Sequence, residues 1–341
     1  MTDRSSLIAT FFPGGIPTLW CPPLTHFKPD GTIDKARIHA HLRFMRPYVP
    51  ALLVPGSTSE GWELSQQEEA HLVDIALDCA REMDFTILVG ILRPAVGVAK
   101  ADIEVTVARL FGDAHPDPAG FHERQLCGFA VTAPKGKELS QRAIYQELDA
   151  VLELGYPTAF YQLPQITENE IAPETVADLA SRYENLYLLK DTSGGDKVVT
   201  SGLDFGGVFF VRGAEGNYAE WYKKAGGLYD GFLLSSANCF PRELREVLDL
   251  LEQRRTAEAD ALSARVSNVV LRTLEAAGAL PFGNAFTNAA KAIDHFIAWG
   301  PDADISAKIY VKSGATLPQS LLETAREALD REGLMPHEGY L

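Results

Sequence analysis

Cysteine is scarce. Cys21, Cys79, Cys127 and Cys239 stand far apart and form no CxxC pair, a spacing that predicts reduced thiols in a cytoplasmic protein rather than a disulfide framework. Long apolar runs are lacking too. None reaches the ~18 residues of a membrane span, and the apolar stretch Leu7 to Phe12 is broken by Pro13-Gly14-Gly15, so neither a signal peptide nor a membrane segment is expected. Positive charge is short: 31 basic residues face 46 acidic ones, for a net charge of −15, and no basic run occurs. Nucleic acid and anionic membrane surfaces both demand clustered Lys and Arg, which excludes them as expected partners. No Walker pattern or GxGxxG follows any candidate strand, which leaves nucleotide binding without a motif. His39 and His41 are two apart and fall on different sides of the helix expected there, so a metal-dependent aldolase site is unsupported.

What the chain has is alternation. Short apolar runs and longer amphipathic segments follow one another, the pattern of parallel strands joined by crossover helices. Candidate strands are Ile16–Cys21, Ala51–Gly56, Phe85–Ile91, Gly128–Ala133, Thr158–Gln162, Leu186–Lys190, Val208–Gly213 and Gly231–Ser235. Eight is the count of a closed (β/α)8 TIM barrel, expected over residues 1–240. Residues 241–341 then hold the last barrel helix and a helical extension packed on it, interrupted at Gly278 to Asn284 and at Gly314. Ser65-Gln66-Gln67-Glu68 and Thr167-Glu168-Asn169-Glu170 both have capping-box form, and Pro173 suits the first turn of a helix. Gly112 to Arg124, rich in Pro, His and Asp, reads as a loop insertion.

The residues that could carry chemistry sit at the ends of these strands. Lys190 closes the run Leu186-Tyr187-Leu188-Leu189 and precedes Asp191-Thr192-Ser193-Gly194-Gly195. A lysine at the carboxyl end of a buried strand is where such barrels keep their chemistry, and desolvation would free its amine to attack a carbonyl. Tyr161 ends the preceding strand, about 4.8 Å away, and its phenol could trade protons as a carbinolamine collapses. If Lys190 points inward, alternation turns Asp191 away. Gly56-Ser57-Thr58-Ser59-Glu60-Gly61 follows the second strand and reads either as a polar turn or as a nest of hydroxyls and backbone N–H groups for a substrate carboxylate.

Together these segments resemble the class I (Schiff-base) aldolase superfamily of dihydrodipicolinate synthase and N-acetylneuraminate lyase. Gly56-Ser57-Thr58-Ser59-Glu60 is similar to the family's GxTGE loop, Tyr161-Gln162-Leu163-Pro164 to its YNxP, Lys190-Asp191-Thr192-Ser193-Gly194 to its K-D/E-x-S-G, and Gly231 to Asn238 with Pro241 to its GxISxxANxxP. They stand in family order over roughly Gly15 to Leu334. The resemblance implies a barrel whose Lys190 forms a Schiff base with a 2-oxo acid, pyruvate or a 2-keto-3-deoxy sugar acid. Tyr161 would relay protons, Ser57 and Thr58 would bind the carboxylate, and Gly213, Ser235 and Asn238 would lie near the rest of the substrate. It also implies a homo-oligomer, dimer or tetramer, and chemistry with neither metal nor organic cofactor.

The departures bear on substrate. Two residues after the YNxP motif the family places an arginine that grips a second carboxylate. Ile166 stands there and cannot. The family's fourth-strand tyrosine is absent from Thr132-Ala133-Pro134-Lys135-Gly136, and Ser59 replaces the family's usual glycine, leaving the loop's backbone conformation open because a positive φ is strained for serine and not for glycine. Arg93 and Lys135 are candidates for holding an acidic substrate, Arg93 reading equally as a rim arginine paired with a surface acid and Lys135 more readily as a solvated loop lysine. The expected activity is therefore a lyase that cleaves or dehydrates a 2-keto-3-deoxy sugar acid, with a non-catalytic oxo-acid sensor or a synthase-like condensing enzyme as alternatives.

Overall fold

The computed structural model describes residues 3–341. Eight strands close a barrel in chain order: β1 (Leu19–Cys21), β2 (Ala51–Val54), β3 (Thr86–Ile91), β4 (Leu126–Thr132), β5 (Thr158–Gln162), β6 (Leu186–Asp191), β7 (Phe209–Arg212) and β8 (Gly231–Leu233). Each overlaps an expected strand. They are apolar on both faces because a parallel barrel buries both, and β2, β4, β5 and β6 are buried at every position.

The chain divides into two compact units, the first comprising Met1–Thr18, Thr86–Ala214 and Leu228–Phe232. Within it, β4 to β7 pair in parallel with Thr132, Tyr161, Lys190 and Val211 as successive Cα partners. Which face these four share follows from their neighbours. Phe129 of β4 meets Phe121 of the helix Pro118–Glu123 at 5.7 Å between ring centroids, and Phe210 of β7 meets Phe205 at 5.1 Å. Phe129 and Val131 therefore face the helix layer, and alternation turns Thr132, with its register partners, to the barrel interior. Arg4, in the helix Arg4–Phe11, is buried and bonds the carbonyls of Leu186, Ala180, Tyr183 and Gly206.

Two local expectations are corrected. Gly112 to Arg124 is not simply loop: Asp117 caps the helix Pro118–Glu123 by accepting from the Gly120 N–H at 2.9 Å, and Phe121 beneath it is fully buried. An Asp-Pro pair is a cap followed by a first-turn proline, which explains why a helix starts there. Thr167 caps nothing. It ends the short helix Pro164–Thr167, its hydroxyl donates to the Leu163 and Asn169 carbonyls, and the next helix begins at Pro173 after Ala172.

The second unit comprises Leu19–Phe85, Glu215–Gly227 and Leu233–Leu341. β1 pairs with β2 in parallel, and Ser65 forms a complete capping box with Glu68 on the helix Gln66–Met83. Beyond residue 240 the chain is helical as expected, in Pro241–Glu252, Thr256–Gly278, Ala285–Trp299 and Gln319–Glu332. Ala285–Trp299 is buried almost all round, and its polar residues Asn288, Lys291, Asp294 and His295 each have partners within the unit. No helix among the described residues is long and apolar enough to cross a membrane.

Candidate functional site

Lys190 and Tyr161 lie at the carboxyl ends of adjacent strands, and the structure brings them together. Lys190 is 4 % exposed and Tyr161 2 %, and the ammonium nitrogen stands 4.1 Å from the centroid of the phenol ring. An ammonium over an aromatic face is held by the ring's quadrupole, and the contact strengthens when water is excluded. Asp191 is on the other face, as alternation requires. Its carboxylate accepts from the Ser193 N–H at 2.8 Å and the Tyr229 hydroxyl at 3.3 Å, and burial raises its pKa.

Behind Asp191 runs a network that sequence reasoning missed. Arg212 grips Asp196 through two N–H groups at 3.1 and 3.2 Å, and Tyr229 donates to the same carboxylate at 2.6 Å. Burial pushes the Tyr229 phenol well above its usual range, so it remains a donor. Gly213 is tied in as well, its N–H donating to the Asp191 carbonyl at 2.6 Å. Arg93 and Lys135 both have acidic partners: the Arg93 Nε meets Asp102 at 2.8 Å, and the half-exposed Lys135 meets Glu168 at 3.0 Å.

The remaining sequence candidates belong to the second unit. Ser57 and Thr58 are buried in the loop after β2. Asn284 donates to the Ser57 hydroxyl oxygen at 2.7 Å, and Thr287 donates to the Thr58 carbonyl at 3.1 Å. Ser59 is not strained. Its hydroxyl accepts from the Gly56 N–H and donates to the Pro23 carbonyl, and the positive φ of the turn, 60°, falls on Glu60. Glu60 is fully buried against Lys291 at 2.5 Å, and its second oxygen accepts from the Lys312 N–H at 2.7 Å.

Ser235 donates to Glu215 at 2.6 Å, and Glu215 also accepts from the Ser236 N–H and the Tyr218 hydroxyl. Asn238 has a scaffolding job. Its amide oxygen accepts from the Leu24 N–H, and its amide nitrogen donates to the carbonyls of Pro22 and Ser235. Lys291 could not be foreseen because Glu60 lies far away in the chain, and no local pattern joins Glu215 to Ser235 and Ser236.

His26, His41 and Asp294 form a buried group with metal-ligand atoms within 4.8 Å of one another. Their atoms are already engaged. His26 Nε2 and His41 Nδ1 are 3.0 Å apart, His41 Nε2 bonds the Asn238 carbonyl, and Asp294 is held by Arg37 and Tyr340. Burial lowers the pKa of both imidazoles, which suits a neutral donor–acceptor chain closed by the Arg37–Asp294 ion pair. His39 turns elsewhere, to Glu82 at 2.8 Å.

With this geometry in place, residues 126–283 match the dihydrodipicolinate synthetase family model. The match spans just under half of the chain, and over that stretch the chain is similar to the family. Among curated relatives, the 4-hydroxy-tetrahydrodipicolinate synthase of Chlorobaculum parvum is 24 % identical over 71 % of this chain and 77 % of its own length. That of Prosthecochloris aestuarii is 26 % identical over the same shares. The fold is shared with the KD(P)GA of T. tenax, at TM-score 0.70 and 18 % identity, covering 93 % of this chain and 99 % of that one. It is shared equally with a Sulfolobus solfataricus 2-keto-3-deoxygluconate aldolase variant in complex with L-2-keto, 3-deoxy-galactonate, at TM-score 0.70 and 16 % identity, covering 93 % and 96 %. These similarities support a lyase.

Proposed function

We propose that the protein is a Schiff-base-forming lyase that cleaves or dehydrates a 2-keto-3-deoxy sugar acid through an iminium at Lys190. One observation carries the reading: a buried lysine amine lies 4.1 Å from the ring of a buried tyrosine on the adjacent strand.

The unprotonated amine adds to the C2 carbonyl, and the Tyr161 phenol gives a proton to the departing carbinolamine hydroxyl, releasing water and leaving the iminium. The iminium then accepts an electron pair. Retro-aldol cleavage takes it from the C3–C4 bond as the C4 hydroxyl loses its proton, whereas dehydration takes the C3 proton first and expels hydroxide from C4. Protonation and hydrolysis of the enamine or iminium return the free lysine.

Condensation with a second dicarboxylate-forming partner is disfavoured, although the curated relatives carry the synthase name. Ile166, in the short helix Pro164–Thr167, occupies the place from which the family's arginine would grip that second carboxylate. The test is covalent trapping. Pyruvate with borohydride should add a reduced adduct to the peptide bearing Lys190, abolished in Lys190→Ala. An unmodified peptide with pyruvate and with longer 2-oxo acids would refute the proposal, and an adduct without product from any sugar acid would leave a binding barrel in place of an enzyme.

A further inference from the structure

Thr132 is the last residue of β4, the Cα partner of Tyr161, which is in turn the partner of Lys190. It is 3 % exposed, and its hydroxyl oxygen has no hydrogen-bond partner. Other buried threonines differ. Thr25, Thr158, Thr192 and Thr273 each donate to a backbone carbonyl within 2.5 to 2.8 Å. A buried hydroxyl left unpaired is unfavourable by the full cost of its desolvation, and valine would fill the same space without that cost.

The unmet group therefore points to something that binds there. Packing of Phe129 on Phe121 turns Thr132 to the interior face shared with Tyr161 and Lys190. We propose that Thr132 determines specificity at the Lys190 site by hydrogen bonding a hydroxyl carried on the substrate's carbon chain beyond C3. The proposal rests on the Lys190 reading above.

The geometry selects that part of the substrate. C2 is held at the lysine nitrogen, which already lies over the Tyr161 ring, and Thr132 stands one strand further along the same rung. Adjacent strands are about 4.8 Å apart, so a group reaching Thr132 extends past the phenol, where a C4 or C5 hydroxyl would fall. A hydroxyl can both give and accept, and Thr132 requires a partner for one such group. A site built around a substrate hydroxyl discriminates strongly against the analogue that lacks it, because the site's own polar group is then stranded.

The experiment compares 2-oxobutanoate with 4-hydroxy-2-oxobutanoate, which differ by one hydroxyl. For wild type, Thr132→Val and Thr132→Ser, the full chain is incubated with each acid and borohydride. The readout is the concentration giving half-maximal loss of the unmodified Lys190 peptide, with adducts of every length counted. Wild type should prefer the hydroxylated acid by about tenfold or more. Thr132→Val should remove that preference while trapping 2-oxobutanoate as wild type does, and Thr132→Ser should restore most of it. Adducts in all three proteins with the same preference would overturn the role of Thr132 alone, as would a Thr132→Val loss that is equal for the two acids. No adduct in wild type with either acid would overturn the Lys190 reading and this inference with it.

Discussion

Replacing Tyr161 by phenylalanine separates the two things that residue does. The ring stays under the Lys190 amine at 4.1 Å, so the cation–π contact, about 0.5 to 2 kcal/mol, is retained, and the buried volume hardly changes. Only the phenolic oxygen is lost. A single hydrogen-bonding group is worth about 1 kcal/mol net, and in a chain of this size that shifts Tm by roughly 2 to 4 °C at most. The chemistry should suffer far more. A positioned general acid–base group contributes about 10² to 10⁴ in rate, and the phenol is the group placed to protonate the leaving carbinolamine hydroxyl. Tyr161→Phe should therefore melt close to wild type and lose two to four orders of magnitude in kcat on a sugar acid. Pyruvate should still be trapped at Lys190, more slowly but to the same final extent, because equilibrium adduct formation needs the amine and not the relay. A kcat within threefold of wild type would refute the proton-relay assignment, since no magnitude expected of a general acid is so small.

Two further predictions concern the second unit. Glu60 and Lys291 have side chains 0 and 1 % exposed, so Lys291→Met strands a buried carboxylate and should cost about 3 to 5 kcal/mol in urea unfolding. Adding Glu60→Gln should recover part of that loss, and strict additivity of the two single variants would show that the pair is not coupled. Glu68 is held down to a pKa of about 2: burial acts to raise it, and the Lys312 ammonium and the Ser65 hydroxyl and N–H outweigh that effect. A carboxylate whose pKa is depressed on folding stabilises the fold above its ordinary value of 4.5 and loses that contribution as pH falls toward 2. Because Glu68 is 31 % exposed, screening reduces the nominal ~3 kcal/mol to about 1 to 2 kcal/mol. Glu68→Gln should accordingly lower Tm at neutral pH and flatten its decline between pH 5 and 2, and parallel wild-type and variant curves across that window would sink the argument.

What could be read in the sequence was whatever depends on short stretches of chain. All eight strands were visible because a parallel barrel buries both faces of each, so short apolar runs such as Ala51–Val54 and Leu186–Leu189 recur along the chain between longer amphipathic segments. The Lys190–Tyr161 pairing followed from strand order and alternation, which are local rules applied twice. Where the reading failed or stayed open, two local signals competed or one acted at a distance. Thr167-Glu168-Asn169-Glu170 has the form of a cap, but Pro164 had already started a turn of helix that Thr167 closes, and Pro173 starts the next. Ser59 in a glycine position left the loop's conformation open, and the turn places its positive φ one residue on at Glu60, whose carboxylate is fixed by Lys291 and the Lys312 N–H from more than 200 residues away. Thr132 shows the same divide from the other side. Its absence of a partner cannot be read from Val131-Thr132-Ala133, because it consists of what the surrounding strands fail to supply, and only the assembled rung shows that the missing hydrogen bond faces the same interior as the amine.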